Sequence, residues 1–184
     1  MDVFDGLRTR IAKNRLKKEQ EATRLREGYN LTNCKSVALL YKDIDEERFL
    51  TIKAYLVLLK TEFNIPEVKA YAYVDKDEKN LPTWQIKHQE FDFFFRKNVK
   101  WNMEPSVGVT MFTNNEFDIL VDLSRDECIP ISYVVARSKA KMKVGRVDSA
   151  CSRFYDFMID VDQDISLSDY LKKVSFYLTK FNFE

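Results

Sequence analysis

The 184 residues are 45% hydrophobic and 14% aromatic, enough for one domain with a sizeable core and too apolar for a disordered chain. Lys and Arg number 30 against 29 Asp and Glu, so overall charge points to no polyanion partner, and any cationic function must come from local clustering. Three widely spaced cysteines, Cys34, Cys128 and Cys151, form no C-x-x-C pair; neither a disulfide framework nor a zinc knuckle is implied, and reduced thiols in a cytoplasm are expected.

The chain opens Met1-Asp2-Val3-Phe4-Asp5 without an apolar stretch of signal-peptide length, and no run reaches the roughly 18 apolar residues of a membrane span. Residues 1–30 read as a basic helical arm with Phe4, Leu7 and Ile11 on one face and a stop at Gly28. With so few apolar contacts, the arm is expected to project or to be loosely held. Ser36 to Tyr41 is a continuous apolar run, the mark of a strand covered on both faces. Asp43-x-x-Glu46 reads as the start of a helix whose apolar face is Phe49, Ile52, Leu56, Leu59 and Phe63, ending near Asn64 and Pro66. Val68 to Val74 is a second strand, completing a right-handed βαβ unit.

The connection over 76–104 is too long and too aromatic for a plain loop; Phe91, Phe93 and Phe95 alternate as in a short strand. A short helix is expected from Pro105 to Asn114. Phe117 to Leu123 is a buried strand, Ile129 to Arg137 a helix, Lys141 to Val144 a short strand ended by Gly145, and Phe157 to Val161 another strand. Ser166-x-x-Asp169 caps a last helix with the stripe Tyr170, Val174, Tyr177 and Phe181. The sum is a doubly wound α/β domain over 31–184, with a mainly parallel sheet of about five strands of the Rossmann-like or flavodoxin-like kind.

The chemistry is sparse. Only Gly6, Gly28, Gly108 and Gly145 are glycine, and the first strand ends Tyr41-Lys42-Asp43, so neither the Rossmann fingerprint nor the P-loop is present. No cofactor is implied. The single histidine, His88, lies in a polar stretch and reads as a surface residue; a multi-histidine metal site is excluded. Ligands of open α/β sheets bind beyond the carboxyl ends of the strands, where Asp43, Asp75 and Asp122 fall and could gather Mg²⁺ for work on phosphate, although Asp is also common at caps and turns. Asp43-Ile44-Asp45 resembles the opening of the haloacid-dehalogenase phosphatase motif, with Glu46 in place of the usual small or hydroxyl residue.

Two clusters are candidates for anion binding: Arg8, Arg10, Lys13, Arg15, Lys17 and Lys18 on the arm, and Lys139, Lys141, Lys143 and Arg146 farther on. The alternation from Lys139 to Val144 also suits an edge strand whose lysines block aggregation. The aromatic segment 91–101, with Arg96, Lys97 and Lys100, is a candidate base-stacking or homodimer patch as well as plain core.

Phe117-Asp118-Ile119-Leu120-Val121-Asp122-Leu123-Ser124, followed by a helix and Ala136 to Arg146, resembles an uncharacterised family of small bacterial proteins of the Bacteroidota type from residue 30 onward. That resemblance implies a cytoplasmic protein of no assigned activity. The same segment is similar, over about thirty residues, to the first domain of ADP-heptose glycosyltransferases, which implies a Rossmann-like sheet and carries over no catalytic residue. The leading expectation is a non-enzymatic module whose basic arm contacts RNA, the ribosome or an acidic protein. The alternative is an enzyme acting on a nucleotide, nucleotide-sugar or phosphate ester at the strand ends. A weak hold of the arm on an anionic membrane surface is a third reading.

Overall fold

The computed structural model describes residues 3–43, 45–76, 82, 84, 89–106, 109–147 and 151–181. Helix α1 (Val3–Lys18) leads to β1 (Ser36–Asp43), α2 (Glu46–Thr61), β2 (Glu67–Val74), β3 (Phe91–Phe95), α3 (Thr110–Asn114), β4 (Ile119–Asp122), α4 (Ile129–Arg137), β5 (Met142–Arg146), β6 (Phe157–Ile159) and α5 (Leu167–Lys180). All six strands pair in parallel, in the order β3-β2-β1-β4-β5-β6. The expected doubly wound α/β sheet is present with six strands rather than about five. The addition is the aromatic alternation at Phe91–Phe95, which pairs with Ala70–Val74.

The order reverses between β1 and β4. The chain builds outward through β2 and β3, then returns to build outward on the other side. Strand alternation sorts the core into two layers. Val37, Leu39, Tyr41, Ile119 and Val121 face α2 and α5, whereas Ala38, Leu40 and Leu120 face α1, α3 and α4. In α5 the buried stripe is Tyr170, Leu171, Val174 and Leu178, so the expected Tyr177 and Phe181 lie at its margin. The N-cap of α2 is Asp45, which accepts from the Arg48 amide at 2.8 Å, not Asp43, which is buried as the last residue of β1. Ser166 caps α5 as expected, accepting from the Asp169 amide.

Further expectations are corrected. The helix placed after Pro105 begins only at Thr110. The lysine-rich strand is not at an edge: β5 lies between β4 and β6 and runs through Gly145 to Arg146. A side chain at Gly145 would sit 2.2 Å from the Tyr155 ring, so the glycine admits an aromatic ring rather than ending the strand. The arm is docked, not projecting. Ala12 and Leu16 are buried against α4, while Leu7 is 53% exposed.

Helix α1 stops at Lys18, well before Gly28, and the following strap runs without helix across the domain. Backbone bonds tie it down: Ala22 N–H to Ala136 O at 3.0 Å and Leu31 N–H to Leu178 O at 2.9 Å. Ion pairs add to this. Glu19 meets Arg137 at 2.7 Å, Glu21 meets Lys143 at 3.2 Å, and Arg24 meets Asp156 at 2.8 Å. Arg153 donates to the terminal carbonyls Leu16 O and Glu19 O, both at 2.8 Å, as cations do at helix C-termini.

Candidate functional site

Two depressions open at the carboxyl ends of the strands, one on each side of the loop that joins β4 to α4. The first, a crevice of about 450 Å³, lies at the reversal of strand order. Its walls come from Arg8 and Lys13 of α1, Lys42 near the end of β1, Tyr73 and Asp75 at the end of β2, Arg96 after β3, and Glu127 to Pro130 at the start of α4. Alternation explains the choice of Lys42: with Ala38 and Leu40 it faces the α4 side, whereas Tyr41 and Asp43 face α2 and α5.

Four cations thus meet two carboxylates, Asp75 and Glu127. Lys13 pairs with Glu127. Asp75 accepts from Arg96 Nε at 3.2 Å and from the Tyr73 hydroxyl at 3.0 Å. Arg8 Nε donates to Trp101 O at 2.6 Å. The Lys42 ammonium has no partner among the described residues. Burial, with Asp75 beside it, holds the Tyr73 hydroxyl well above its ordinary pKa, so it stays a donor. Burial pushes the Cys128 thiol up to about 12, which leaves it protonated and unsuited to nucleophilic attack.

The second cleft, of about 550 Å³, lies over the ends of β4 and β5. Asp122 and Arg146 line it, with Asp126 and Asp164 at its rim. The Asp122 carboxylate accepts from the Tyr155 hydroxyl at 2.6 Å and from the Ser124 amide at 2.8 Å. Burial raises its pKa despite both bonds. The Tyr155 hydroxyl is raised well above its ordinary value, by burial first and by Asp122 second.

The sequence-derived candidates therefore separate. Asp75 lines the crevice, Asp122 the cleft, and Asp43 is buried on the α2/α5 side, so the three carboxylates do not share one pocket. Among the described residues no three His, Cys, Asp or Glu side chains are grouped to hold a metal ion. Arg8 and Lys13 reach the crevice, while Arg10, Arg15, Lys17 and Lys18 lie exposed on the outer face of α1.

The second basic cluster is split along the sheet. Lys139 and Lys141 precede β5, at the opposite end from both depressions, and Lys141 binds Asp118 at 2.9 Å and the Tyr29 hydroxyl at 3.0 Å. Lys143 is fully buried against Glu21, and only Arg146 reaches the cleft. In the aromatic segment Phe91, Phe94 and Phe95 are buried and Phe93 packs on the core, leaving Trp101, 61% exposed, as its large surface group. His88 lies outside the described residues.

Lys42 and Tyr155 escaped the sequence reading, and Arg96 entered it only as part of the aromatic segment 91–101, not with Lys42. Lys42 and Arg96 stand at or just beyond strand carboxyl ends, so the rule that singled out the aspartates reaches them once it is applied to cations. Tyr155 had no local signal, since its partners Asp122 and Gly145 are distant in sequence.

No helix among the described residues is long and apolar enough to cross a membrane. No curated protein matches the chain. Among solved structures, E. coli heptosyltransferase WaaC with ADP is similar at a TM-score of 0.50 and 13% identity, over 79% of this chain and 48% of that one. The same enzyme with ADP-2-deoxy-2-fluoro heptose gives 0.47 and 11%, over 79% and 49%. The chain spans about half the length of the heptosyltransferase it matches, and the likeness is one of fold. A family model matches residues 8–181, the docked helix included from Arg8 onward, and the chain belongs to that family, the family of unknown function DUF6913.

Proposed function

We propose that the protein binds a phosphate-bearing small molecule in the crevice where the strand order reverses, with the N-terminal helix supplying part of the grip. One observation carries this reading: Arg8 and Lys13 of α1, Lys42 of β1 and Arg96 after β3 face one crevice with only two carboxylates among them. The excess of two positive charges sits where open α/β sheets receive ligands. The volume falls in the range of small-molecule sites. Lys42 replaces the glycine-rich backbone cradle with a point charge, which suits a phosphate without the usual fingerprint. The solved heptosyltransferase relative holds ADP, a ligand of the same chemical class, and that supports a nucleotide or nucleotide-sugar as the molecule to try first. An enzyme acting on a phosphate ester here would have Asp75, the one predicted carboxylate that lines the crevice, and Glu127 to draw on.

Titrating the protein with pyrophosphate and with ADP at low salt, by calorimetry, tests the reading. Binding is expected, with Lys42→Gln and Arg96→Gln each weakening it about tenfold or more, as loss of a charge-assisted hydrogen bond does. Affinity unchanged in both variants, or no binding at millimolar ligand, would overturn it. A second reading rests on Arg10, Arg15, Lys17 and Lys18, which are exposed along the outer face of α1 and suit a polyanion such as RNA or an acidic protein. RNA affinity that falls steeply with salt, and drops when these four become Gln while pyrophosphate affinity holds, would favour it.

A further inference from the structure

Arg146 ends β5 beside the second cleft and is only 7% exposed. Its Nη2 donates to Asp162 O at 2.9 Å, and its guanidinium lies 5.8 Å from the centroid of the Tyr170 ring. Among the described residues no carboxylate pairs with it, and Nε and Nη1 make no hydrogen bond. Burying a guanidinium is costly unless an anion neutralises it and its donors are used. Arg24, whose side chain is also buried, meets that requirement through Glu21 and Asp156. Arg146 does not, yet it borders an open cleft of about 550 Å³. A guanidinium so placed can take an anion that enters the cleft.

The rim narrows the class. Asp126 and Asp164 are exposed there without ion-pair partners among the described residues, Arg125 on the same rim donates its Nε to Gln163 O at 3.0 Å, and the Asp122 carboxyl lies on the floor. A phosphate would meet these carboxylates as like charges. A planar carboxylate fits the fork of a guanidinium, and a positive group on the same ligand would meet the rim. We propose that this cleft is a second binding site, in which Arg146 takes the carboxylate of a small zwitterion, an α-amino acid, while Asp126 and Asp164 receive its ammonium. The site does not depend on the crevice; Glu127 and Cys128 border both, and Glu127 is already paired with Lys13.

Amide chemical shifts of the full chain, followed while glycine, acetate, methylamine and inorganic phosphate are added, provide the test. Glycine is expected to shift Ser124 and Gly145 at millimolar concentration, acetate more weakly, and methylamine and phosphate not at all. Arg146→Gln should reduce the glycine affinity about tenfold or more, through loss of the charged, bidentate contact. Arg146→Lys, which keeps the charge without the fork, should also weaken it. Asp126→Asn with Asp164→Asn, both exposed and safe for folding, should weaken glycine and leave acetate unchanged. The proposal fails if glycine moves no amide at the cleft, if its effect survives in Arg146→Lys, or if phosphate binds the cleft more tightly than glycine.

Discussion

Lys143 and Gly145 are both buried on β5, one against Glu21 and the other against the Tyr155 ring. Gly145 looks like a strand terminator, and its role is to leave room for Tyr155, whose hydroxyl holds Asp122 at the cleft floor. Gly145→Ala therefore must push the ring away. Overpacking of this kind costs about 1–3 kcal/mol, and here it also breaks the 2.6 Å bond to Asp122. A drop in melting temperature and a changed tyrosine near-ultraviolet signal are expected; an unperturbed protein would show that the ring packs elsewhere. Lys143 carries a positive charge with no surface exposure. Burial, helped by Arg24, lowers its pKa to about 8 against the partial opposition of Glu21 and Asp156. Between about pH 8 and the ordinary 10.5 the unfolded chain keeps this proton and the folded chain gives it up, so stability rises with pH across that window; below it both states are protonated and the contribution is constant. Denaturant melts at pH 7.5 and 9.5 should differ by on the order of 2 kcal/mol more in the wild type than in Lys143→Met. Equal differences would mean that Lys143 does not titrate there. The sequence flagged Lys143 as a surface cation because its alternation is local, whereas its partner Glu21 is 122 residues away.

At the level of elements, what was legible divides by the kind of force that places each one. Helix α4 falls at Ile129–Arg137, as its apolar run predicts, and α5 starts at its Ser166 cap. Both are decided by hydrophobic burial and local capping. The arm is decided by ion pairs and backbone bonds to distant chain, which apolar periodicity does not register. Its docking also has a stability consequence opposite to that expected of a loose arm. Deleting residues 1–27 removes Glu19, Glu21 and Arg24; Arg137 keeps Glu104, but Lys143 and Asp156 lose their ion-pair partners. Stranding a buried charge costs about 3–5 kcal/mol, or a fall in melting temperature of about 10 °C for a domain of this size. Deleting only 1–7 should change little, since Gly6 and Leu7 are exposed. An unchanged melting temperature for the longer deletion would make the strap a passenger.

Across the whole molecule, the parallel sheet was readable because continuous apolar strands require cover on both faces. Strand order was not, since it is set by pairings between segments far apart in sequence, and with it went the knowledge that Lys42 and Arg96 share a crevice with Arg8 and Lys13. The strand order also makes that crevice a junction: a ligand there touches α1, the β1 and β3 ends and the start of α4 together. An anion bound at this junction must therefore stabilise the docked helix as well as itself. With pyrophosphate at about 100 times its Kd, mass action adds about 2.7 kcal/mol to stability, a rise in melting temperature of about 5–10 °C. The rise should disappear in Lys42→Gln and shrink in Arg8→Gln combined with Lys13→Gln. High salt should reduce it, because the attraction is between charges at a solvent-open crevice. Hydrogen exchange separates this from binding elsewhere. Amides of α1 from Ala12 to Leu16 should exchange more slowly in the complex, while those of α5, on the far side of the sheet, should slow no more than global stability requires. Stabilisation of the domain with α1 exchange unchanged would place the anion outside the crevice.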